Sequence, residues 1–339
     1  AGVDSYPRLG DRVYAAPHSF IANLPKFMEA AEAEASHVLL KLGSIDVAPE
    51  SYVSVKPEKL FGRHCAILGA TGGGKSWTTA RIIEECLRYK TKIILLDATG
   101  EYRGFDGEHV ANFHLGAPVN TAKSSAPCTL PQTSFIESDF IALFEPAGKV
   151  QGPKLRAAIR SLRLAALAPH VATGGIIKKI DQSKVPIMTE EAKAGIAEKL
   201  DDPQKAFDVW KLVSQIEQEC VYPDGFGSAR GQKDFTKWGG DSGVVSFCLS
   251  LMSRINGILS SSSFECVFKS KAPALTEKIS SFVSNEDRLL RICLSGVAFE
   301  FKAREIVANV IGRHLLNMAR NGAFKSRPVV VIVDEAHNF

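Results

Sequence analysis

The segment Gly69-Ala-Thr-Gly-Gly-Gly-Lys75-Ser76 constrains the fold more than any other part of this chain. It matches the pattern G-x-x-x-x-G-K-[S/T], and it lies between an apolar stretch, Cys65–Leu68, and a helical pattern that begins at Ser76. A second apolar stretch, Lys92–Asp97, follows the helical pattern. We therefore predict a strand–helix–strand unit, and we expect the sheet that contains it to be parallel.

The residue types in this segment suit a polyphosphate. Glycines let successive backbone N–H groups approach phosphate oxygens with no Cβ in the way. The start of the helix adds the positive end of its dipole, Lys75 supplies a charge to the β- and γ-phosphates, and Ser76 offers a hydroxyl to Mg²⁺. The predicted cofactors are ATP and Mg²⁺, and the predicted nucleotide-binding residues are Gly69, Ala70, Thr71, Gly72, Gly73, Gly74, Lys75, Ser76 and Trp77. The alternative is a glycine-rich turn that binds nothing.

An acidic pair follows the strongest apolar run of the chain. Val329–Val333 are five consecutive β-branched residues, and Asp334 and Glu335 come directly after them. A carboxylate at the carboxyl end of a parallel strand lies where such sheets bind ligands. We predict that Asp334 holds Mg²⁺ together with Ser76, and that Glu335 activates the attacking water as a general base. The alternative is an ordinary strand end with solvated carboxylates.

Two more carboxylates lie near the end of the Lys92–Asp97 stretch. Asp97 and Glu101 are expected at the same edge of the sheet, where they would help to position metal or water. The alternative is a turn that Asp97 and Gly100 stabilise, and Glu101 is the stronger functional candidate of the two acids. The predicted catalytic residues are therefore Lys75, Glu101 and Glu335, while His337 is expected to pack rather than to sense the nucleotide.

The composition excludes several classes of protein. The 339 residues are 45% hydrophobic and 23% charged, which is ordinary for a globular protein of about two domains. No run approaches the roughly 18 apolar residues that span a bilayer. The seven cysteines are odd in number and none are two or three positions apart, which disfavours a zinc site or a redox pair and fits a reducing cytosol. Because the chain starts without Met and stops just after a strand, we expect it to be part of a longer protein.

The pattern of apolar and turn residues divides the chain into two predicted domains. Residues 1–58 hold short apolar stretches separated by turn residues, with one Ala/Glu-rich stretch, 27–35, of helical type. We predict a β-rich N-terminal domain over 1–58 and an ATPase domain over 59–339. Residues of about 103–285 are expected to be mostly helical, and further predicted elements are a strand at Leu289–Leu294, a helix at Ala303–Arg320 and a strand at Val329–Val333.

Positive charge is concentrated in residues 151–200, which hold nine Lys or Arg and four Asp or Glu, whereas the whole chain has a net charge of +4. Three arginines share one face of the predicted helix that follows Pro153, and two lysines follow in a predicted loop. We predict that these residues contact a DNA backbone: Arg156, Arg160, Arg163, Lys178 and Lys179. The alternative is a solvated helix face. Arg254 and Arg313 are expected to form ion pairs within the chain, and the alternative is that they serve the nucleotide of a neighbouring subunit.

Together these motifs resemble the HerA group of the HerA–FtsK superfamily of hexameric DNA-pumping ATPases. The resemblance is carried by the segment Gly69–Ser76, called the phosphate loop below, by Asp97 with Gly100-Glu101-Tyr102, by Arg291–Gly296 and by Asp334-Glu335-Ala336-His337. It implies an α/β fold with a RecA-like P-loop core and parallel sheet, a small barrel-like domain at 1–58 and a helical insertion. Many relatives carry Pro-His where this chain has Ala98-Thr99.

The resemblance also implies partners and a function. It implies a homohexameric ring in the cytoplasm that translocates or unwinds double-stranded DNA through a central pore, together with a nuclease or a sirtuin-like effector of anti-phage defence. A second interpretation is an ATP-gated scaffold that assembles and regulates such an effector with little unwinding. A third is a coupling ATPase of conjugation or secretion, which the lack of an evident membrane anchor disfavours.

Overall fold

The structure is a computed structural model that describes residues 9–12, 14–21, 23, 38–46, 48–226 and 232–338. The chain divides into two compact units, Ala1–Thr91 and Lys92–Phe339. The stretch 27–35, for which the sequence predicts a helix, lies outside the described residues.

The first unit contains an antiparallel hairpin and the helix that follows the phosphate loop. Its elements are β1 (Leu40–Ile45), β2 (Ala48–Val55), α1 (Pro57–Phe61) and α2 (Lys75–Leu87). The buried carboxylate of Glu85 fastens α2 to β1, because it accepts a hydrogen bond from the Lys41 backbone N–H (2.9 Å) and pairs with Arg81 (2.7 Å) and Arg88 (3.0 Å). The hairpin agrees with the predicted β-rich texture, whereas a closed barrel stays a prediction.

The stretch Cys65–Leu68 is not a strand, so this part of the sequence-based prediction is wrong. Residues 64–70 have no regular secondary structure, and the Leu68 side chain is 88% exposed. The backbone N–H and C=O groups of a buried strand need partners in neighbouring strands. No strand of the described residues pairs with this stretch, so its apolar character alone does not make it part of a sheet.

The second unit contains a parallel five-stranded sheet, which confirms the α/β class. In chain order the strands of this unit are β3 (Lys92–Asp97), β4 (Val110–Leu115), β5 (Ala126–Cys128), β6 (Val221–Tyr222), β7 (Gly225–Phe226), β8 (Lys233–Asp234), β9 (Gly239–Gly240), β10 (Leu289–Cys293) and β11 (Val329–Val333). The parallel sheet has the order β11-β3-β10-β4-β5, and the two-residue strands pair antiparallel, β6 with β9 and β7 with β8. β3 and β10 are buried along their whole length, as expected for central strands covered on both faces.

Two strands of this sheet, β4 and β5, lie in the segment that the sequence predicts to be mostly helical, and the sequence did not predict these two strands. Asn112 and His114 interrupt the apolar pattern of β4, although both are buried. The Asn112 amide donates to the Phe105 carbonyl (3.0 Å) and to the Ser124 hydroxyl (3.1 Å). Because these partners lie outside the strand, the pattern of β4 alone does not show that its polar side chains are satisfied inside the protein.

The helical part of the unit begins after β5. Its helices are α3 (Glu137–Phe144), α4 (Gly148–Leu167), α5 (Val185–Glu191), α6 (Ala194–Leu200), α7 (Leu212–Glu219), α8 (Ser242–Ser260), α9 (Glu265–Phe268), α10 (Leu275–Ser284) and α11 (Ala303–Arg320). The predicted apolar face of α4 is confirmed, since Leu155, Ile159 and Leu162 are buried in a core that also contains sheet residues. By length and composition α8 is the one helix of the described residues that could cross a membrane, but Leu251 and Ile255 on its inner face belong to the same core.

Candidate nucleotide-binding site

The phosphate loop forms a tight turn in the first unit, and its last two residues, Lys75 and Ser76, are the first two of α2. Gly72 and Gly74 have φ angles of +77° and +83°, a backbone conformation that favours glycine. The Gly73 N–H donates to the Ala70 carbonyl (2.9 Å). A Cβ on Gly73 would lie 2.9 Å from that same oxygen, so this turn has no room for a side chain there. The loop therefore keeps the bare backbone that phosphate oxygens require.

The nine residues that the sequence predicts to bind the nucleotide are consecutive and form the loop and the start of α2. Lys75 and Ser76 occupy the first turn of α2, where the leading N–H groups of a helix attract anions. The Lys75 ammonium donates to the Ala70 carbonyl at 3.3 Å, so it lies folded back over the loop. The Trp77 indole is 83% exposed, and a contact between it and a nucleotide stays a prediction.

The acidic motif lies at the carboxyl edge of the sheet in the second unit. Asp334 directly follows β11, and its backbone N–H donates to the Leu96 carbonyl of β3 (3.0 Å). The Tyr102 hydroxyl donates to Asp334 Oδ1 at 3.2 Å. The other carboxylate oxygen, Oδ2, is buried and has no hydrogen-bond partner in the part of the chain that the structure describes.

The surroundings of Asp334 disfavour its negative charge. Burial raises the pKa of Asp334 to about 6, and the charges of Asp97, Glu101 and Glu335 shift that pKa in the same direction. The hydrogen bond from Tyr102 opposes the shift, because it stabilises the ionised form. A buried carboxylate oxygen without a donor, surrounded by like charges, is an environment that a divalent cation stabilises.

The residue types at this edge fit Mg²⁺. Magnesium prefers oxygen ligands and is usually held by one or two carboxylates, with phosphates and waters completing its shell. No group of three or more His, Cys, Asp and Glu in the described ranges could hold a metal ion by itself. The buried Oδ2 of Asp334, which has no hydrogen-bond partner among the described residues, is an oxygen of the kind that Mg²⁺ prefers.

Asp97 stabilises a turn, which is the alternative that the sequence left open beside a role in positioning metal or water. Its carboxylate accepts hydrogen bonds from the backbone N–H groups of Gly100 (2.7 Å) and Tyr102 (3.2 Å), and it pairs with Arg291 (2.7 Å). Both members of the ion pair are fully buried. Glu101 in the same turn is exposed, and its predicted catalytic role stays a prediction.

Glu335 lies next to His337. The Glu335 backbone has a φ of +50°, and its carboxylate lies 3.1 Å from the imidazole Nδ1 of His337. The His337 side chain is 74% exposed, so the prediction that it packs inside the protein is wrong. A surface contact with the Glu335 carboxylate takes the place of that packing.

Two of the five predicted DNA contacts are wrong, because their charges are used inside the protein. Arg163 is only 2% exposed and pairs with Glu137 (2.9 Å), while it also donates to the carbonyls of Leu200 and Lys205. Lys179 is 13% exposed and pairs with Glu219 (2.6 Å). Neither side chain is available to a DNA backbone.

The other three predicted DNA contacts differ in exposure. Arg160 is 35% exposed and pairs with both Glu191 (3.0 Å) and Asp201 (3.1 Å). Arg156 is 66% exposed, and Lys178 is exposed as well. Contacts between these three residues and DNA stay predictions.

The predicted internal ion pairs are confirmed. Arg254 pairs with Glu145, and Arg313 pairs with Asp139 (2.5 Å). Both arginines therefore have carboxylate partners within their own chain.

Two residues of the quoted motifs, Arg291 and Tyr102, received no individual role from the sequence. An arginine in the otherwise apolar β10 indicates a buried charge that needs a partner of opposite charge. Asp97, at the end of another buried strand, was a carboxylate that could serve as that partner. Tyr102 carried no comparable signal, because its contact with Asp334 joins residues 232 positions apart.

Two features of this chain define the class of P-loop ATPases. One is a G-x-x-x-x-G-K-S loop at the start of a helix, and the other is a parallel sheet with an acidic pair directly after an apolar strand. Residues 40–213, just over half of the chain, match the family described as "Helicase HerA, central domain", and the chain belongs to this family. This confirms the resemblance that the motifs indicate.

The chain is also similar to the probable helicase MJ1565 of Methanocaldococcus jannaschii. The two are 38% identical over 64 residues, which is 19% of this chain and 12% of the relative. The chain thus matches a small part of that relative's length.

Proposed function

We propose that this chain is the motor of an ATP-hydrolysing, hexameric DNA translocase or helicase of the cytoplasm that works with a nuclease or another effector protein. The observation that carries the proposal is the pair of motifs described above. One is a bare, turned backbone loop with a lysine folded over it, and the other is a buried carboxylate with one oxygen left without a donor. Membership of the HerA family and the similarity to a probable helicase support the motor interpretation.

Different residues of the chain bind the phosphates, hold the metal and accept the proton of water during hydrolysis. The loop amides and Lys75 bind the β- and γ-phosphates and stabilise the charge that develops on the transferred phosphoryl group. Ser76 and Asp334 would hold Mg²⁺, which when bound offsets the negative charge of the phosphates. Glu335 takes the proton of the attacking water, and the adjacent His337 nitrogen at 3.1 Å helps to orient the Glu335 carboxylate.

A second candidate function is an ATP-gated scaffold that assembles and regulates an effector with little unwinding of DNA. The observation that favours it is the loss of two of the five predicted DNA contacts, since Arg163 and Lys179 are committed to internal ion pairs. A motor would have to bind DNA without these two side chains, whereas a scaffold does not need them.

The rate of ATP hydrolysis with and without double-stranded DNA separates the two candidates. We expect DNA to stimulate hydrolysis and a bound strand to be displaced in one direction. Hydrolysis that is independent of DNA and changes only with an effector protein would favour the scaffold. The mass of the purified assembly with and without ATP tests the ring, for which six copies are expected.

Glu335→Gln tests the assigned general base. The variant should bind ATP as the parent chain does and lose turnover, because the amide cannot accept the proton of water. Glu286→Gln is the matched control, since the Glu286 side chain is 79% exposed and pairs with Arg327. Near-normal hydrolysis by Glu335→Gln would contradict the assignment.

A further inference from the structure

We propose that Tyr102 is a positioning residue for magnesium, because its hydroxyl holds one oxygen of Asp334 and leaves the other oxygen for the metal. This inference rests on the proposed function. The inference gives a role to Tyr102, the last residue of the Asp97-Ala-Thr-Gly-Glu-Tyr102 segment. The roles of the phosphate loop and of the acidic pair do not explain why a tyrosine stands there.

The two oxygens of the Asp334 carboxylate are not equivalent. Oδ1 accepts the hydrogen bond from the Tyr102 hydroxyl at 3.2 Å. Oδ2 is buried and lacks a partner among the described residues. The backbone of Asp334 is fixed separately, through its N–H donated to the Leu96 carbonyl (3.0 Å). The Tyr102 contact therefore determines how the carboxylate is turned about its own side-chain bond.

Tyr102 can fix Asp334 because the turn that carries it is itself anchored. Its own backbone N–H donates to Asp97 Oδ2 (3.2 Å), and the same oxygen accepts from Arg291 Nε (2.7 Å). The other Asp97 oxygen accepts from the Gly100 N–H (2.7 Å). The Asp97–Arg291 pair is fully buried between β3 and β10, so the turn is tied to the centre of the sheet.

Two further contacts prevent the turn from shifting. Gly100 has a φ of +85°, and a Cβ at this position would lie 2.5 Å from Asn120 Cβ, so the turn and the Asn120 segment are in close contact. Arg304 donates to the Ala98 carbonyl (3.1 Å) at the start of the turn and to the Ser295 carbonyl (3.1 Å) after β10. The Tyr102 ring at the end of this assembly is only 4% exposed.

Removal of the hydroxyl alone tests the positioning role. Tyr102→Phe keeps the buried ring and the anchored turn. It removes the hydrogen bond to Asp334 Oδ1, so the carboxylate is no longer held in one orientation. Loss of a hydrogen bond to a metal-binding group typically weakens metal binding by about tenfold or more. We therefore expect the dissociation constant for the metal to rise by about tenfold in this variant.

The experiment uses the whole chain with the non-hydrolysable analogue AMP-PNP and follows Mn²⁺ binding by electron paramagnetic resonance. Mn²⁺ serves as a spectroscopic substitute for Mg²⁺. The proteins compared are the parent chain, Tyr102→Phe and the control Tyr89→Phe. The control also removes a tyrosine hydroxyl that donates a hydrogen bond, here to the Leu39 carbonyl (3.4 Å). AMP-PNP affinity in the presence of EDTA is measured for each protein.

The inference predicts weaker Mn²⁺ binding for Tyr102→Phe alone, with unchanged metal-free affinity for AMP-PNP in all three proteins. Equal Mn²⁺ affinities in the three proteins would overturn it. A parallel loss of metal-free AMP-PNP affinity in Tyr102→Phe would overturn it too, since that would indicate a general structural role. A parent chain that binds no AMP-PNP under any condition would instead contradict the proposed function, on which the inference depends.

Discussion

Asp97→Ala should strongly destabilise the second unit, because it leaves a buried charge without compensation. Asp97 and Arg291 are both fully buried. With the carboxylate gone, the Arg291 guanidinium keeps only its hydrogen bond to the Asn120 carbonyl (3.3 Å), and its Nη1 already lacks a partner among the described residues. The backbone N–H groups of Gly100 and Tyr102 lose their acceptor as well.

The magnitude follows from the environment of the pair. Removing one partner of a buried ion pair lowers the free energy of unfolding by about 3–5 kcal/mol. An exposed pair serves as the control, namely Arg327 with Glu286, whose side chains are 46% and 79% exposed. Glu286→Ala should lower the free energy of unfolding by about 1 kcal/mol or less.

Urea unfolding followed by tryptophan fluorescence measures both effects. The chain has three tryptophans, of which Trp210 and Trp238 lie in the second unit and Trp77 in the first. A Trp77→Phe background therefore restricts the signal to the unit that contains the ion pair.

Two results would refute this reasoning. One is an Asp97→Ala variant that is no less stable than Glu286→Ala. The other is a double variant, Asp97→Ala with Arg291→Met, that recovers no stability relative to Asp97→Ala, because removal of the orphaned charge should restore a large part of it.

Two further predictions concern charged side chains that the structure buries. Arg163→Ala should lower the free energy of unfolding by about 2 kcal/mol or more, since the Leu200 and Lys205 carbonyls lose their donor and Glu137 loses its ion-pair partner. Arg156→Ala at an exposed position should change it by less than about 1 kcal/mol. Equal values from urea unfolding would contradict the assignment of Arg163 to the interior. Glu85→Ala should speed hydrogen exchange of the Lys41 amide, because that N–H loses its acceptor on α2. The hydrogen bond contributes about 1–3 kcal/mol to the free energy of unfolding. An unchanged exchange rate would show that Glu85 does not hold the hairpin to α2.

The parts of the fold that the sequence predicted are those with strong local signals. The phosphate loop needs glycine at φ angles near +80°, and that need is visible in the residues themselves. β11 is a continuous apolar run, β3 contains one, and β10 is apolar apart from Arg291. α4 and α11 show clear helical spacing. Each of these elements carries its own evidence within a few residues.

The parts that the sequence did not predict depend on distant partners. β4 contains two buried polar residues whose partners lie outside the strand, and Cys65–Leu68 is apolar but finds no neighbouring strand among the described residues. The spacing of Arg163 on α4 gave no sign that Glu137 and two carbonyls of another segment would surround it. In each case the deciding contact is made far away in the sequence.

The central claim is that the loop from Gly69 to Ser76 binds a nucleoside triphosphate through Lys75. Isothermal titration calorimetry with ATP and Mg²⁺ tests it on the parent chain, on Lys75→Ala and on Lys90→Ala, an exposed lysine of the same unit. The account predicts ATP binding by the parent chain and by Lys90→Ala, with an affinity about 10- to 100-fold weaker for Lys75→Ala. Equal affinities for the three proteins, or a parent chain that binds no ATP, would contradict it.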